Sequence, residues 1–221
     1  HDLMAESTNP TIAPYAGTGE VKLRVTASLP EGEDAEALLQ PAIKKILAAA
    51  GDYCYGIDVP DLQTAAVQAL RKKGLTVAAA ESCTGGLVAA RLTEVPGASA
   101  VFGCGIVSYN NTVKAEVLGV DPAIIEQHTA VSAETAAAMA EAVRKKSGAD
   151  IGIGVTGNAG PSASEGQPVG LVFVAVASEK YSHVSRLFID RHDADARNLI
   201  RHFAALKALS LILRAAGYYK E

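Results

Sequence analysis

An apolar run that must turn into a helix within a handful of residues is the tightest constraint in this chain. Leu75 to Ala80 reads as a buried strand, Glu81-Ser82-Cys83-Thr84-Gly85-Gly86 follows, and Leu87, Val88, Arg91 and Leu92 then recur at helical spacing. Ser82 therefore sits on a strand-to-helix corner. In an open α/β sheet, ligands bind at this end, where strand carboxyl ends and helix amino ends converge. The N–H groups of a helix's first turn have no partners within the helix and can receive a phosphate or an oxyanion. Gly85 and Gly86 carry no side chain to hold a ligand away from that backbone. A Ser or Thr N-cap beside packing glycines gives the same spacing. The corner alone leaves both readings open.

At 221 residues the chain has room for one large domain, or a medium domain and a small one. A hydrophobic fraction of 49% with 20% charged residues describes a well-cored globule rather than a disordered chain. The net charge of −4 gives no reason to expect nucleic acid. No apolar run reaches membrane-spanning length and no charged-then-apolar leader opens the sequence, so the expected location is the cytoplasm. The first residue is His1 rather than Met, which reads as a fragment or a processed chain. Cys54, Cys83 and Cys104 lack paired spacing, which suits a reducing compartment better than a disulfide framework. His1, His128, His183, His192 and His202 are scattered without a nearby Cys or carboxylate partner, so no zinc site is expected.

The sequence divides into residues 1–58 and 59–221. In the first part, residues 1–20 are polar and turn-rich, Val21 to Val25 alternates like a half-exposed strand, and Leu38, Ala42, Ile43, Ile46 and Leu47 follow helical spacing. Pro41 is expected to kink that helix or start it afresh. Tyr53-Cys54-Tyr55 reads as a second strand. The result is a small α+β unit, marginal by surface-to-volume scaling. It holds four basic and nine acidic residues up to residue 60, which argues against nucleic-acid binding.

Beyond Pro60, helices and strands alternate. A helix from Asp61 to Lys73 stops at Gly74. Ile106 to Tyr109 reads as a strand, with Lys114 in the first turn of the helix that Asn110-Asn111-Thr112 opens. Asp121-Pro122 and Ser132 start two further helices. Ile151 to Thr156 is a buried strand, Val169–Ala177 and His183–Ile189 pair, and an amphipathic helix from about Asp193 closes the chain. The sum is a layered α/β domain with a mixed sheet. The segment from Gly157 to Pro168 has no periodicity and is long for a connection in a compact domain. It reads equally as a functional loop and as a solvated one.

Residues from about Leu62 to Leu213 resemble the amidase domain of the CinA/PncC family, the nicotinamide-nucleotide amidases. The matching segments include Ala80-Glu81-Ser82-Cys83-Thr84-Gly85-Gly86, Val107-Ser108-Tyr109-Asn110-Asn111-Thr112-Val113-Lys114, Val155-Thr156-Gly157-Asn158-Ala159-Gly160-Pro161 and Arg197-Asn198-Leu199-Ile200-Arg201. Residues 1–58, with Glu6 to Thr11 and Gly19 to Val25, resemble the small KH-like middle domain of longer CinA proteins. The G-x-x-G loop of RNA-binding KH modules is missing.

This resemblance implies hydrolysis of the carboxamide of nicotinamide mononucleotide to the carboxylate and ammonia. Ser82 would be the nucleophile and Lys114 its base, a Ser–Lys variant of serine hydrolase chemistry, with no metal or other cofactor. A serine hydroxyl needs a base to take its proton, and lysine can serve only when burial lowers its pKa. By itself, a Lys in a helix's first turn is ordinarily a solvated surface charge. Backbone N–H groups near Gly85 and Gly86 would hold the oxyanion, Thr84 to Gly86 the phosphate, and Arg197 the phosphate or the pyridine side of the substrate. Tyr109 is expected as a pocket wall or, equally, as a core tyrosine. Thr156 and Gly157 are expected to offer hydroxyl or backbone to the substrate, and Arg201 to be exposed. Cys83 is a rival nucleophile beside Ser82, although small buried cysteines are common.

The sequence departs from the family pattern at Asn158, where an apolar residue is usual, at Ser162-Ala163-Ser164, where glycines are usual, and at Thr129, where Gly is usual. The first two lie in the loop expected to border the pocket. A competing reading is a binding module that keeps the pyridine-nucleotide pocket without turnover and serves a protein partner in competence or DNA-damage responses. The partner expected is a small pyridine nucleotide, with neither nucleic acid nor membrane, and a homodimer stays open.

Overall fold

The computed structural model describes residues 2–5 and 7–218. His1 and Glu6, the latter opening the Glu6–Thr11 motif, lie outside the described residues. The chain forms two compact units that part between Asp58 and Val59.

The first unit runs α1 (Asp2–Ala5), β1 (Thr11–Ala16), β2 (Val21–Thr26) and α2 (Ala35–Ala50). β1 and β2 form an antiparallel hairpin with Pro14 opposite Leu23. The alternation of Val21 to Val25 is thus a strand, and its partner is Thr11–Ala16. Pro14 hides that partner in the sequence. A two-stranded sheet has a free edge on each strand, so a residue without an N–H costs no ladder bond there. Gly51 leaves α2 with a φ of 52°, and Gly51–Tyr53 makes a 3-10 turn in place of the expected strand. Asp34 caps α2 by accepting Glu36 N–H at 3.0 Å, and the helix continues through Pro41 rather than starting afresh.

The second unit runs α3 (Leu62–Lys73), β3 (Val77–Glu81), α4 (Leu87–Thr93), β4 (Phe102–Val107), a π-helix (Val113–Leu118), α5 (Pro122–His128), α6 (Ala133–Ser147), β5 (Ile151–Gly157), β6 (Leu171–Ser178), β7 (Ser182–Phe188) and α7 (Ala196–Ala215). Its helix boundaries follow local chemistry. Asp61 accepts Thr64 N–H at 2.9 Å to open α3, and Gly74 closes it in the left-handed region. Asp121 caps α5 with Pro122 in its first turn, and Ser132 caps α6 through Thr135 N–H.

The sheet order is β4-β3-β5-β6-β7, parallel across the first three strands and antiparallel beyond. This is a layered α/β domain with a mixed sheet. Ala78 and Ala80 of β3 pack with Met139 and Val143 of α6 and with Leu118 and Val120. Strand alternation sends Val77, Ala79 and Glu81 to the other face, where α4 and α7 lie. All of α7's inner stripe is aliphatic: Ile200, Leu209, Ile212 and Leu213 are fully buried.

The chain leaves β3 for β4 on one side and later returns to β5 on the other. The carboxyl end of β3 is therefore a topological switch point, the place where open α/β sheets open a ligand crevice. Among the described residues no helix is long and apolar enough to cross a membrane, and no group of three or more His, Cys, Asp or Glu could hold a metal ion.

Candidate active site

The three parallel strands deliver the site. Ser82 follows β3, Ser108 and Tyr109 follow β4, and Thr156 and Gly157 end β5. Ser82 N–H still bonds Val155 O at 2.9 Å, and Ser108 N–H bonds Glu81 O at 2.8 Å, so the corner is stitched to both neighbours. Gly85 and Gly86 then turn the chain with φ of 60° and 95°, a conformation that costs side-chain-bearing residues roughly 1–2 kcal/mol.

Lys114 arrives from the π-helix. The sequence predicts an ordinary helix with Lys114 on its first turn, where an ammonium would face water. The wider π-turn, a feature frequent at functional sites, instead carries a lysine only 1% exposed. Its Nζ lies 3.4 Å from Ser82 Oγ and 3.4 Å from the Tyr109 carbonyl oxygen. Desolvation pushes its pKa below the ordinary lysine value, partly opposed by the negative charge of Glu165. Ser82 is 8% exposed, enough to meet a ligand from one side.

Both residues line a cavity of about 280 Å³, with Tyr109, Thr156, Gly157, Arg197 and Glu165 on its walls. A slightly larger cavity of about 310 Å³ lies at the opposite ends of β3 and β4, lined by Thr76, Ser99–Cys104 and Ser147–Ala149, and no charged side chain lines it. The chemistry sits in the first.

Tyr109 is 60% exposed and not a core residue; its hydroxyl accepts from Arg197 Nη2 at 3.2 Å. Arg197 is exposed, and its Nη1 also donates to the Gly160 carbonyl, tying the long loop to Tyr109. Arg201 is half-buried rather than exposed, because its Nη2 donates to Thr84 O at 2.9 Å under the Ser82 corner. Thr156 lines the cavity, but its hydroxyl proton is committed to Ala130 O at 2.6 Å. Gly157 has a packing reason of its own: a Cβ there would fall 2.8 Å from Leu171 O.

The amino end of α4 overturns one expectation. The Glu81 carboxylate, 1% exposed, accepts the N–H groups of Gly86 at 3.0 Å, Val88 at 3.0 Å and Ala89 at 2.9 Å. Gly85 N–H goes to Ser82 O and Leu87 N–H to Thr84 O. These donors are consumed, and an anion already occupies the dipole end, so Gly85 and Gly86 hold neither phosphate nor oxyanion. Thr84, fully buried, is also absent from the cavity wall. In the corner, the Thr84 N–H has no hydrogen-bond partner among the described residues, and the Cys83 N–H faces its own thiol. Burial pushes the Cys83 thiol up to about 12, with a smaller push from the Glu81 charge, so Cys83 stays protonated and is a poor rival to Ser82.

The long loop is ordered by Asn158. Its Oδ1 accepts Gly160 N–H at 2.9 Å, and its Nδ2 donates to Ser162 O and Gln167 O, each at 3.1 Å. The departure from the family pattern thus acts inside the loop. Ser162 and Ala163 lead into a tight hairpin closed between Ser164 and Gln167, with Glu165 and Gly166 at φ of 52° and 73°. Two positive φ values in a two-residue loop define a type I′ turn.

Glu165 was not legible as a site residue; the dipeptide Glu-Gly between polar neighbours was the available turn signal. Its Oε2 accepts Ala130 N–H at 2.8 Å and its Oε1 accepts from Asn111 Nδ2 at 3.4 Å.

The CinA C-terminal domain profile matches residues 60–216, and that of the damage-inducible protein CinA KH domain matches residues 1–56. The chain belongs to the CinA family. It is 42% identical over 215 residues to a CinA-like protein of Kosmotoga olearia, covering 97% of this chain and 51% of that one. It is 41% identical over 214 residues to a CinA-like protein of Dictyoglomus turgidum, covering 96% and 51%. The chain thus spans about half the length of these CinA relatives. Among solved structures, it resembles the competence/damage inducible protein CihA from Agrobacterium tumefaciens, with 34% identity and a TM-score of 0.65 over 72% of this chain and 98% of that one. A CinA superfamily protein from Klebsiella pneumoniae matches at 28% identity with a TM-score of 0.66, over 72% and 97%.

Proposed function

We propose that this CinA-family chain is an amidase that hydrolyses the carboxamide of nicotinamide mononucleotide to nicotinate mononucleotide and ammonia. The observation that carries the reading is the buried Lys114 amine 3.4 Å from Ser82 Oγ in a cavity at the sheet's switch point. A surface lysine has no reason to be desolvated beside a serine, whereas a general base must be neutral to work.

Neutral Lys114 takes the Ser82 proton as Oγ attacks the amide carbon. The tetrahedral oxyanion falls to the N–H groups of Cys83 and Thr84; the N–H after the nucleophile plays this part in other strand–turn–helix hydrolases. One such donor contributes roughly 2.7–4 kcal/mol where it has been measured. Protonated Lys114 returns the proton to the departing nitrogen, ammonia leaves, and an ester of Ser82 remains. Water, deprotonated by Lys114 in turn, then attacks that ester and restores the hydroxyl. Tyr109 O holds the amine in place between the two steps, and Arg197 takes the phosphate.

Ammonia released from the mononucleotide, and lost on Ser82→Ala, tests the reading. Binding without release would favour a nucleotide-binding module.

A further inference from the structure

Among the described residues, Glu165 is the one acidic side chain on the cavity wall, which otherwise carries the Lys114 amine and the Arg197 guanidinium. It occupies the first of the two positive-φ positions in its turn, where glycine or asparagine is favoured. Turn chemistry alone therefore does not account for a glutamate. Its carboxylate is held in place by Ala130 N–H and the Asn111 amide, two neutral donors on segments that border the cavity. Among the described residues no cation forms an ion pair with it. Arg197, the cation nearest in role, is turned instead to Gly160 O and the Tyr109 hydroxyl. This exposed but tethered carboxylate, without an ion-pair partner among the described residues, borders whatever fills the cavity, and Lys114 already feels its field.

We propose that Glu165 is a specificity-determining residue that selects a carboxamide borne on a cationic ring and disfavours the carboxylate formed from it. The inference rests on the amidase reading and names the part of the substrate that reading leaves unassigned. In nicotinamide mononucleotide the ring that bears the amide carries a positive charge, so the ring faces Glu165 while the phosphate faces Arg197. Hydrolysis converts the neutral amide into an anion in the same cavity. Like-charge repulsion by Glu165 then favours product departure over rebinding.

Glu165→Gln removes the charge and keeps an oxygen to accept Ala130 N–H, so the turn should survive; a thermal melt unchanged from the parent checks this. The informative pair of ligands is nicotinamide mononucleotide and its 1,4-dihydro form, which has the same amide, ribose and phosphate on an uncharged ring. Calorimetric affinities are measured for Ser82→Ala and for Ser82→Ala with Glu165→Gln, and ammonia release for the parent and for Glu165→Gln.

The expected result is a roughly tenfold weaker affinity for the cationic ligand in the Glu165→Gln background, with a change under about twofold for the dihydro form. Nicotinate mononucleotide should inhibit Glu165→Gln several-fold more tightly than the parent. Equal losses for both ligands, or no loss for either, would overturn the proposal. Ring-charge preference without ammonia release from the parent would sink the amidase reading while leaving the selectivity assignment standing.

Discussion

The Glu81 carboxylate accepts the N–H of Val88 at 3.0 Å, closing the amino end of α4 from the residue just before Ser82. Gly86 and Ala89 converge on the same group, so one buried side chain fixes both the helix start and the corner that presents the nucleophile. Removing it strands three donors, each costing about 1–3 kcal/mol if left unsatisfied. Glu81→Ala should therefore lower stability by roughly 3 kcal/mol or more. Glu81→Gln, which keeps one acceptor but presents a donor to the same N–H groups, should lose less. Urea midpoints equal to the parent's would show that these bonds do not form in solution.

Lys114 gives the reaction a pH signature. Burial lowers its pKa, and the neutral amine is the active form, so kcat/KM should rise with pH through a limb lying below the ordinary lysine value of 10.5. Glu165 opposes that shift, so Glu165→Gln should move the limb to lower pH. A limb at or above the ordinary value would mean that Lys114 titrates as a solvated amine.

The same burial has a stability cost. Between the lowered folded pKa and the ordinary unfolded one, the unfolded chain binds more protons, so this group makes stability rise with pH across that window. Below the folded value the penalty is constant and at its largest. Lys114→Met should abolish turnover yet raise stability near neutral pH by roughly 0.5–2 kcal/mol. A destabilised Lys114→Met would show that the amine's hydrogen bonds outweigh its desolvation.

Much of the site was written in the sequence. The Glu81–Gly86 corner and the buried strand ending at Thr156 depend on local patterning, whereas Lys114 with Tyr109 was legible only through the family resemblance, since spacing alone makes Lys114 a surface charge. What was not legible depends on backbone turned by tertiary context. The π-helix that buries Lys114 leaves no periodic trace over six residues. The Glu81 cap joins residues that look, in sequence, like a strand end and a free helix start. Arg201 reads as exposed because nothing local announces that the Thr84 carbonyl will be its partner. In the small unit, Pro14 masked a strand, and Tyr53 to Tyr55 showed β-type composition but lies after a glycine turn.

Thr129 sits at φ 70° and ψ 164°, a region that is essentially glycine's own and costs about 1–3 kcal/mol for a branched side chain. Its hydroxyl makes only one long bond, to Val131 O at 3.4 Å. Thr129→Gly, the residue usual in the family pattern, should therefore stabilise the chain by about 1 kcal/mol or more, read as a raised Tm. A lowered Tm would mean that the Thr129 side chain compensates for its backbone.

Arg197 and Arg201 lie one helical turn apart and should separate cleanly. Arg197→Ala should damage turnover of the mononucleotide and spare nicotinamide riboside, which lacks the phosphate, narrowing the difference between them. Arg201→Ala should loosen the Ser82 corner through Thr84 and slow both alike. The reverse pattern would move the phosphate contact by one turn.

Whether Ser82 and Lys114 act as one catalytic unit is read from ammonia release from nicotinamide mononucleotide by the parent, Ser82→Ala, Lys114→Ala and the double variant. The expected result is turnover by the parent, near-complete loss in each single variant, and a double variant hardly worse than either, because residues acting together do not lose activity additively. Turnover by Ser82→Ala within a few fold of the parent, or losses that simply add, would contradict it.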